Sequence, residues 1–303
     1  VKQRVLAVAG AVILVASAVL VRSWLVGDGD DSGGGGTRST GAPPTVGCTA
    51  DLAELCRALA AADRIAADPP TLELDDLQAP PDDLDGWIGW DPGPRVVDFA
   101  TGTARWGEGE PLATAPLAVL ADPNALAEVC PDAVTWACVA DSAGDGLAVG
   151  IGDPNTSEGL ARIAPFLGPE GPWPTDDFDE LAERTAELRD TPPGPQDDAA
   201  SMADRLVTQP GSLDLVVLTQ REAQARAATA QGRSRGLVAV TPTPQRPATV
   251  VLAGAPGGAE LDAAELCEAA PEAWQAAGLT PCRGSIMADD LAGLLFQVHD
   301  RLG

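Results

Sequence analysis

Residues 150–167, GIGDPNTSEGLARIAPFL, carry the reading that decides the fold. An apolar run enters at Gly150, breaks at Asp153-Pro154, turns through Asn155-Thr156-Ser157 and continues as an amphipathic helix. A strand feeding a turn and then a helix aims the free N–H groups of the first helical turn at whatever lies above the sheet's carboxyl edge, together with the Thr156 and Ser157 hydroxyls. Ligands of open α/β sheets bind at that edge. Thr and Ser are also the ordinary N-caps, and spacing alone favours the cap.

Outward from this stretch, helical and strand patterns alternate. Before it, ADLAELCRALAAADRIAAD reads as a helix, and TLEL, GWIGW and RVVDF read as short strands or strand ends. The continuous apolar runs APLAVLA (Ala115 to Ala121) and GLAVGIG (Gly146 to Gly152) suit buried strands of a mainly parallel sheet. After it, DDFDELAERTAELRD and DAASMADRLVTQ read as helices separated by the polar loop TPPGPQDD. LDLVVLT (Leu213 to Thr219) is the strongest strand of the second half and runs into QREAQARAATAQG, a helix ended by Gly232. GLVAVTP and ATVVLAG follow as buried strands, then AAELCEAAPEAWQAAG and MADDLAGLLFQVHDRL as helices. The alternation predicts an α/β fold in two lobes, with no repeat of the kind that builds a solenoid or propeller.

The N-terminal tract has Lys2 and Arg4 before an uncharged stretch, Val5 to Val21, about the lower length limit for a membrane-spanning helix. Residues 1–26 are read as a retained anchor that leaves the body outside the cytoplasm, with a cleaved signal peptide as the alternative because Ala16-Ser17-Ala18 fits a small-x-small site. Gly27 to Gly47, rich in Gly, Ser and Pro, reads as a flexible linker, so the body spans 48–303. Its six cysteines form no CxxC pair, and export favours disulfides. The expected couples are Cys48–Cys56, Cys130–Cys138 and Cys267–Cys282.

Without Lys2, Arg4 and Arg22 the chain holds 16 basic against 45 acidic residues, a net charge of −29. Such a surface disfavours nucleic acid and anionic lipid as partners. His299 is the only histidine, so a Ser-His-Asp or Cys-His catalytic site has little to build on, and no enzyme activity is expected. No GxGxxG or GxxxxGK[ST] cradle is present, the paired acids sit in turns or helix starts, and no cofactor or metal site is expected.

The opening stretch resembles the strand, Asp-Pro-x-Thr-Ser turn and Gly-Leu helix of bacterial extracellular solute-binding proteins of the type 2 periplasmic-binding fold, notably the group near the molybdate and iron binders. DLDGWIGWDP resembles that family's tryptophan-bearing strand near the cleft, ATAPLAVLA its small-Thr-x-Pro strand, and LDLVVLTQREA its second-lobe strand and helix. The resemblance implies two α/β lobes joined by a two-stranded hinge. Thr156 and Ser157 would face Gln220 across the cleft, and Thr114 and Trp90 would line its rim. Gln220 has a structural alternative, because Thr219 and Glu222 form a capping box at the same helix start. The sequence departs from the family at TVGCTADLAELC, where Cys48 and Cys56 stand in place of a small-residue ligand loop.

The expected function is thus a membrane-tethered extracytoplasmic solute-binding or ligand-sensing protein that closes on a small molecule, with a transporter or another envelope protein as partner. The alternative is a cell-surface interaction module that keeps the fold without the ligand.

Overall fold

Strand β3 (Glu110–Ala121) organises the molecule. In a computed structural model, which describes residues 42–144, 147–167 and 198–302, two half-sheets share it. The remaining strands are β1 (Val46–Cys48), β2 (Gly86–Trp90), β4 (Val149–Gly150), β5 (Leu215–Thr219), β6 (Val238–Val240), β7 (Pro247–Gly254) and β8 (Thr280–Pro281). The first half of β3 pairs with β7 and β8, and β7 leads on through β2 to β1. Its second half pairs with β6 and with β5, beyond which lies β4.

The split falls where Pro116 faces Pro247. Neither proline has an N–H to give, so the ladder stops there. The Leu117 N–H instead donates to the Arg246 carbonyl at 3.0 Å, which sets the outbound strand beside the returning segment 241–246. This pattern corrects the expectation of a mainly parallel sheet. β3 is antiparallel to β5, β6, β7 and β8, and only β1–β2 and β4–β5 are parallel among the described pairs.

The continuous apolar runs have a simple cause. In β5, Leu215 and Val217 enter one hydrophobic cluster while Val216 and Leu218 enter another on the opposite face. β3 does the same with Leu117 and Val119 on one side and Ala118 and Leu120 on the other. Successive side chains of a strand point to opposite faces, so a strand covered on both sides is apolar throughout.

Twelve α-helices are described. In chain order they are α1 (Ala53–Ala61), α2 (Leu74–Gln78), α3 (Gly93–Thr101), α4 (Pro123–Val129), α5 (Trp136–Gly144), α6 (Ser157–Ile163), α7 (Ala199–Thr208), α8 (Gln220–Ala227), α9 (Ala230–Arg235), α10 (Ala263–Glu268), α11 (Pro271–Ala276) and α12 (Asp289–Leu302). Five readings change, the first being GLVAVTP, which supplies only β6, half-buried throughout and not a buried strand. RVVDF lies in α3, a helix with Pro94 in its first turn and left-handed Gly102 at its end. TLEL contributes only a bridge from Thr71 to Cys48, and its Glu73 forms a capping box with Asp76 at the start of α2. The helix expected to run from Gln220 to Gly232 breaks at Ala228, because Thr229 caps α9 by accepting from the Gly232 N–H. The stop is Gly236, at φ 69°. The helix expected over AAELCEAAPEAWQAAG breaks before Pro271, where Ala270 takes φ 47°.

The disulfides are Cys48–Cys56, Cys130–Cys138 and Cys267–Cys282, as the spacing predicts. β1 begins at Val46, so Val46 and Gly47 belong to the first half-sheet. The anchor read over 1–26, most of the linker, and the helix and loop read over 176–197 lie outside the described residues. Among the described residues no helix is long and apolar enough to cross a membrane.

Candidate functional site

After β4 the chain turns through Asp153, whose carboxylate accepts from the Asn155 N–H at 2.9 Å. The Thr156 hydroxyl donates to the Asp153 carbonyl at 2.9 Å and accepts from the Gly159 N–H at 3.0 Å, so it is spent on capping α6. Ser157 is fully buried, and its Oγ accepts from the Trp90 N–H at 3.4 Å. The first turn of α6 therefore rests directly on the end of β2.

The open space lies to one side of that contact. From the first half-sheet, β1 leads into a short 3-10 turn, Ala50–Leu52, that carries Asp51, and β2 ends at Trp90. The Trp90 indole Nε1 donates to the Asp51 carboxylate at 2.6 Å. From the second half-sheet, β5 ends at Thr219, whose N–H and hydroxyl both donate to Glu222 Oε2, at 2.9 and 2.8 Å. Asp51, Glu54, Trp90, Thr219, Arg221 and Glu222 line a cleft of 560 Å³, closed at one side by alanines of α11.

Behind the Glu222 wall sits Arg162, 2% exposed. Its Nη2 donates to Glu158 and, at 3.1 Å, to Glu222, while its Nη1 has no hydrogen-bond partner. One guanidinium thus serves a group of carboxylates, and the acids feel it. Desolvation pushes Glu158 up to about 8, against the pull of Arg162 and with added repulsion from Asp51, Glu222 and Asp198. Asp51 is also raised. Solvent reaches it from the cleft, yet protein surrounds it closely enough for desolvation to outweigh the Trp90 and Thr49 hydrogen bonds and Arg162, while Glu222 repels it. Desolvation raises Glu73 too, opposed by the Ala50 N–H that it accepts.

Of the five residues expected to bind ligand, only Trp90 lines this cleft. Thr156 and Ser157 hold the α6 turn against Trp90, and Gln220 is the half-buried first residue of α8, next to Thr219. Thr114 pairs with Thr249 across the β3–β7 ladder, and Thr249 lines a separate cavity of 280 Å³ near the strand crossing. Sequence reasoning passed over Asp51, Glu158, Arg162 and Glu222 as site residues. The Thr219-x-x-Glu222 box was visible as a cap, and nothing in its spacing said that the same carboxylate faces a cleft. His299 lies on α12, where its Nδ1 is 3.2 Å from the Pro154 carbonyl oxygen. Among the described residues no group of three or more His, Cys, Asp or Glu is placed to hold a metal ion.

The architecture is that of periplasmic and extracellular solute-binding proteins. The periplasmic binding protein AfuA from Actinobacillus pleuropneumoniae, solved with fructose-6-phosphate bound, matches with a TM-score of 0.55 at 12% identity, over 87% of this chain and 97% of that one. A protein from Bordetella parapertussis described as an extracellular solute-binding protein matches with a TM-score of 0.52 at 12% identity, over 80% and 86%. No family model and no curated protein matches the sequence. At such identity the likeness speaks for the fold alone, and the chemistry of the cleft is this chain's own.

Proposed function

We propose that the chain is an extracytoplasmic solute-binding or ligand-sensing protein, tethered through its N-terminal tract, that closes on a small molecule and presents it to a membrane transporter or another envelope protein. The observation that carries this reading is the cleft itself, whose walls come from strand ends of both half-sheets: Asp51 and Trp90 on one side, Thr219 and Glu222 on the other. The backbone passes between the half-sheets at β3 and the adjacent segment 241–246, the two-stranded crossing about which a hinge would bend. A ligand that touches both walls stabilises the closed arrangement by its differential contacts.

One observation favours the interaction-module reading. The first turn of α6, with Ser157 buried against Trp90, is covered by protein and not open to a solute. A thermal-shift screen of the purified protein against anionic, neutral and cationic metabolites separates the two. A ligand at about 100 times its dissociation constant adds about 2.7 kcal/mol, or a rise in Tm of about 5–10 °C for a domain of this size. A panel that shifts nothing at millimolar concentration removes the binding reading and leaves the module.

A further inference from the structure

We propose that α6 is a strap laid across the two half-sheets and that the Arg162–Glu222 ion pair is its releasable clasp, so that the cleft opens when the clasp lets go. The device consists of contacts within the protein and stands whether or not the cleft takes a solute.

The chain enters α6 from the second half-sheet, since β4 pairs with β5. The helix nevertheless packs on β2 and β7 of the first half-sheet and on α12. Three features fasten its leading turn there. Ser157, fully buried, accepts from the Trp90 N–H. Gly93 leaves room for it, because a Cβ on Gly93 would lie 3.0 Å from the Ser157 Cβ. The Pro154 carbonyl oxygen meets His299 of α12, which itself packs on α3. The far end of the strap returns to the second half. Arg162 Nη2 donates to Glu222 Oε2 on α8 at 3.1 Å, and Phe166, in the 3-10 turn Ala164–Phe166 that follows, meets Trp136 of α5 edge-on with ring centres 5.5 Å apart.

The walls of the cleft stay together while both ends of the strap hold, and the ion pair is the fastening built to give. Nη2 carries the bonds to both Glu158 and Glu222 while Nη1 makes none, so the pair lacks the two parallel bonds of a strong Arg–carboxylate lock. Letting go orphans neither charge. Arg162 keeps Glu158, one turn away on its own helix, and Glu222 keeps the Thr219 N–H and hydroxyl. A buried ion pair is costly to break when a charge is left uncompensated, and here each partner retains its second bond. The Glu222 side chain is also 40% exposed and lines the cleft, so water replaces Arg162 on that side, whereas the Ser157 contact is buried.

The test is pulsed electron paramagnetic resonance on the full chain, with nitroxides at Gln78→Cys in α2 and Gln231→Cys in α9. Both positions are exposed; α2 packs on α3, and α9 on α7 and α8, so the labels report the two halves. All six native cysteines are held in disulfides. The expected result is one main distance in the wild type, a second and longer population in Glu222→Gln, and the wild-type distribution in Glu158→Gln, which leaves Arg162 to Glu222 alone. If Glu222→Gln fails to fold, Glu222→Asp takes its place with the same expectation, since it keeps the charge but falls one methylene short of Arg162. A distribution unchanged by loss of the clasp overturns the inference. So does a longer population in Glu158→Gln or in the wild type, because opening would then not depend on this pair. No ligand enters the measurement, so its outcome is separate from that of the solute-binding reading.

Discussion

Gly159 shows how tightly the turn before α6 is specified. A Cβ there would lie 1.9 Å from the Asp153 carbonyl oxygen and 2.6 Å from its carbonyl carbon, so backbone would have to move. Gly159→Ala should therefore cost about 2–3 kcal/mol, the range of a steric defect with no flexible neighbour to yield. Thr156→Ala, which removes one cap, should cost about 1 kcal/mol. Urea denaturation with unchanged m-values measures both, and an order reversed from this one would mean that the turn is not built as described. Arg95 makes a harsher case. It is 5% exposed and donates to the buried Asp91 at 2.7 Å, while Asp91 also accepts from the Met287 N–H at 2.6 Å. Arg95→Met leaves a carboxylate without its countercharge, and breaking such a pair costs about 3–5 kcal/mol. The double variant Asp91→Asn, Arg95→Met should recover a large part of that loss, because the uncompensated charge goes with the partner; a double variant as unstable as the single one would locate the effect in packing.

Elements were legible where one physical signal dominated. β5 and β7 announce themselves by length and apolarity, α12 by its period, and the opening stretch by a cap, a turn and a helix in succession. The short elements were not. RVVDF is five residues of ambiguous period, and its helical state comes from Pro94, Gly102 and the buried Asp91–Arg95 pair, which draws on residues outside the window. The direction of β3 was hidden for a similar reason, since a chain that leaves a half-sheet and returns to it is a long-range fact that no local pattern encodes. The cleft shows the same limit, because Asp51 and Glu222 meet only after β1 and β5 have been placed. The Cys48–Cys56 disulfide bears on that placement. It closes a loop over eight positions that contains Asp51. In the chain-entropy account a loop of this size is worth about 2–3 kcal/mol. Cys48→Ser with Cys56→Ser should therefore lower Tm by about 4–12 °C. If the loop also holds Asp51 in register, affinity for a cleft ligand should fall more than the same loss of stability produces when Cys130 and Cys138 are replaced instead. Equal losses of affinity in the two pairs would assign the first disulfide to stability alone.

At the scale of the whole molecule, the acids gathered around Arg162 tie stability to pH. Glu158 holds its proton up to about pH 8 in the folded state, against an ordinary value of 4.5. The groups that face it are Arg162 on its own helix, Asp51 from the first half-sheet, Glu222 on α8, and Asp198 at the cap of α7. Because the folded value lies above the unfolded one, the native state binds more protons between them, and stability falls as pH rises through that window. The contribution is complete below about pH 4.5 and lost above about pH 8. Asp51 and Glu73 are displaced in the same direction and add to the slope. Thermal melts from pH 5 to 8.5 should thus show Tm declining, and Glu158→Gln should flatten the decline because its amide does not titrate; an unchanged slope in that variant would remove Glu158 as its source.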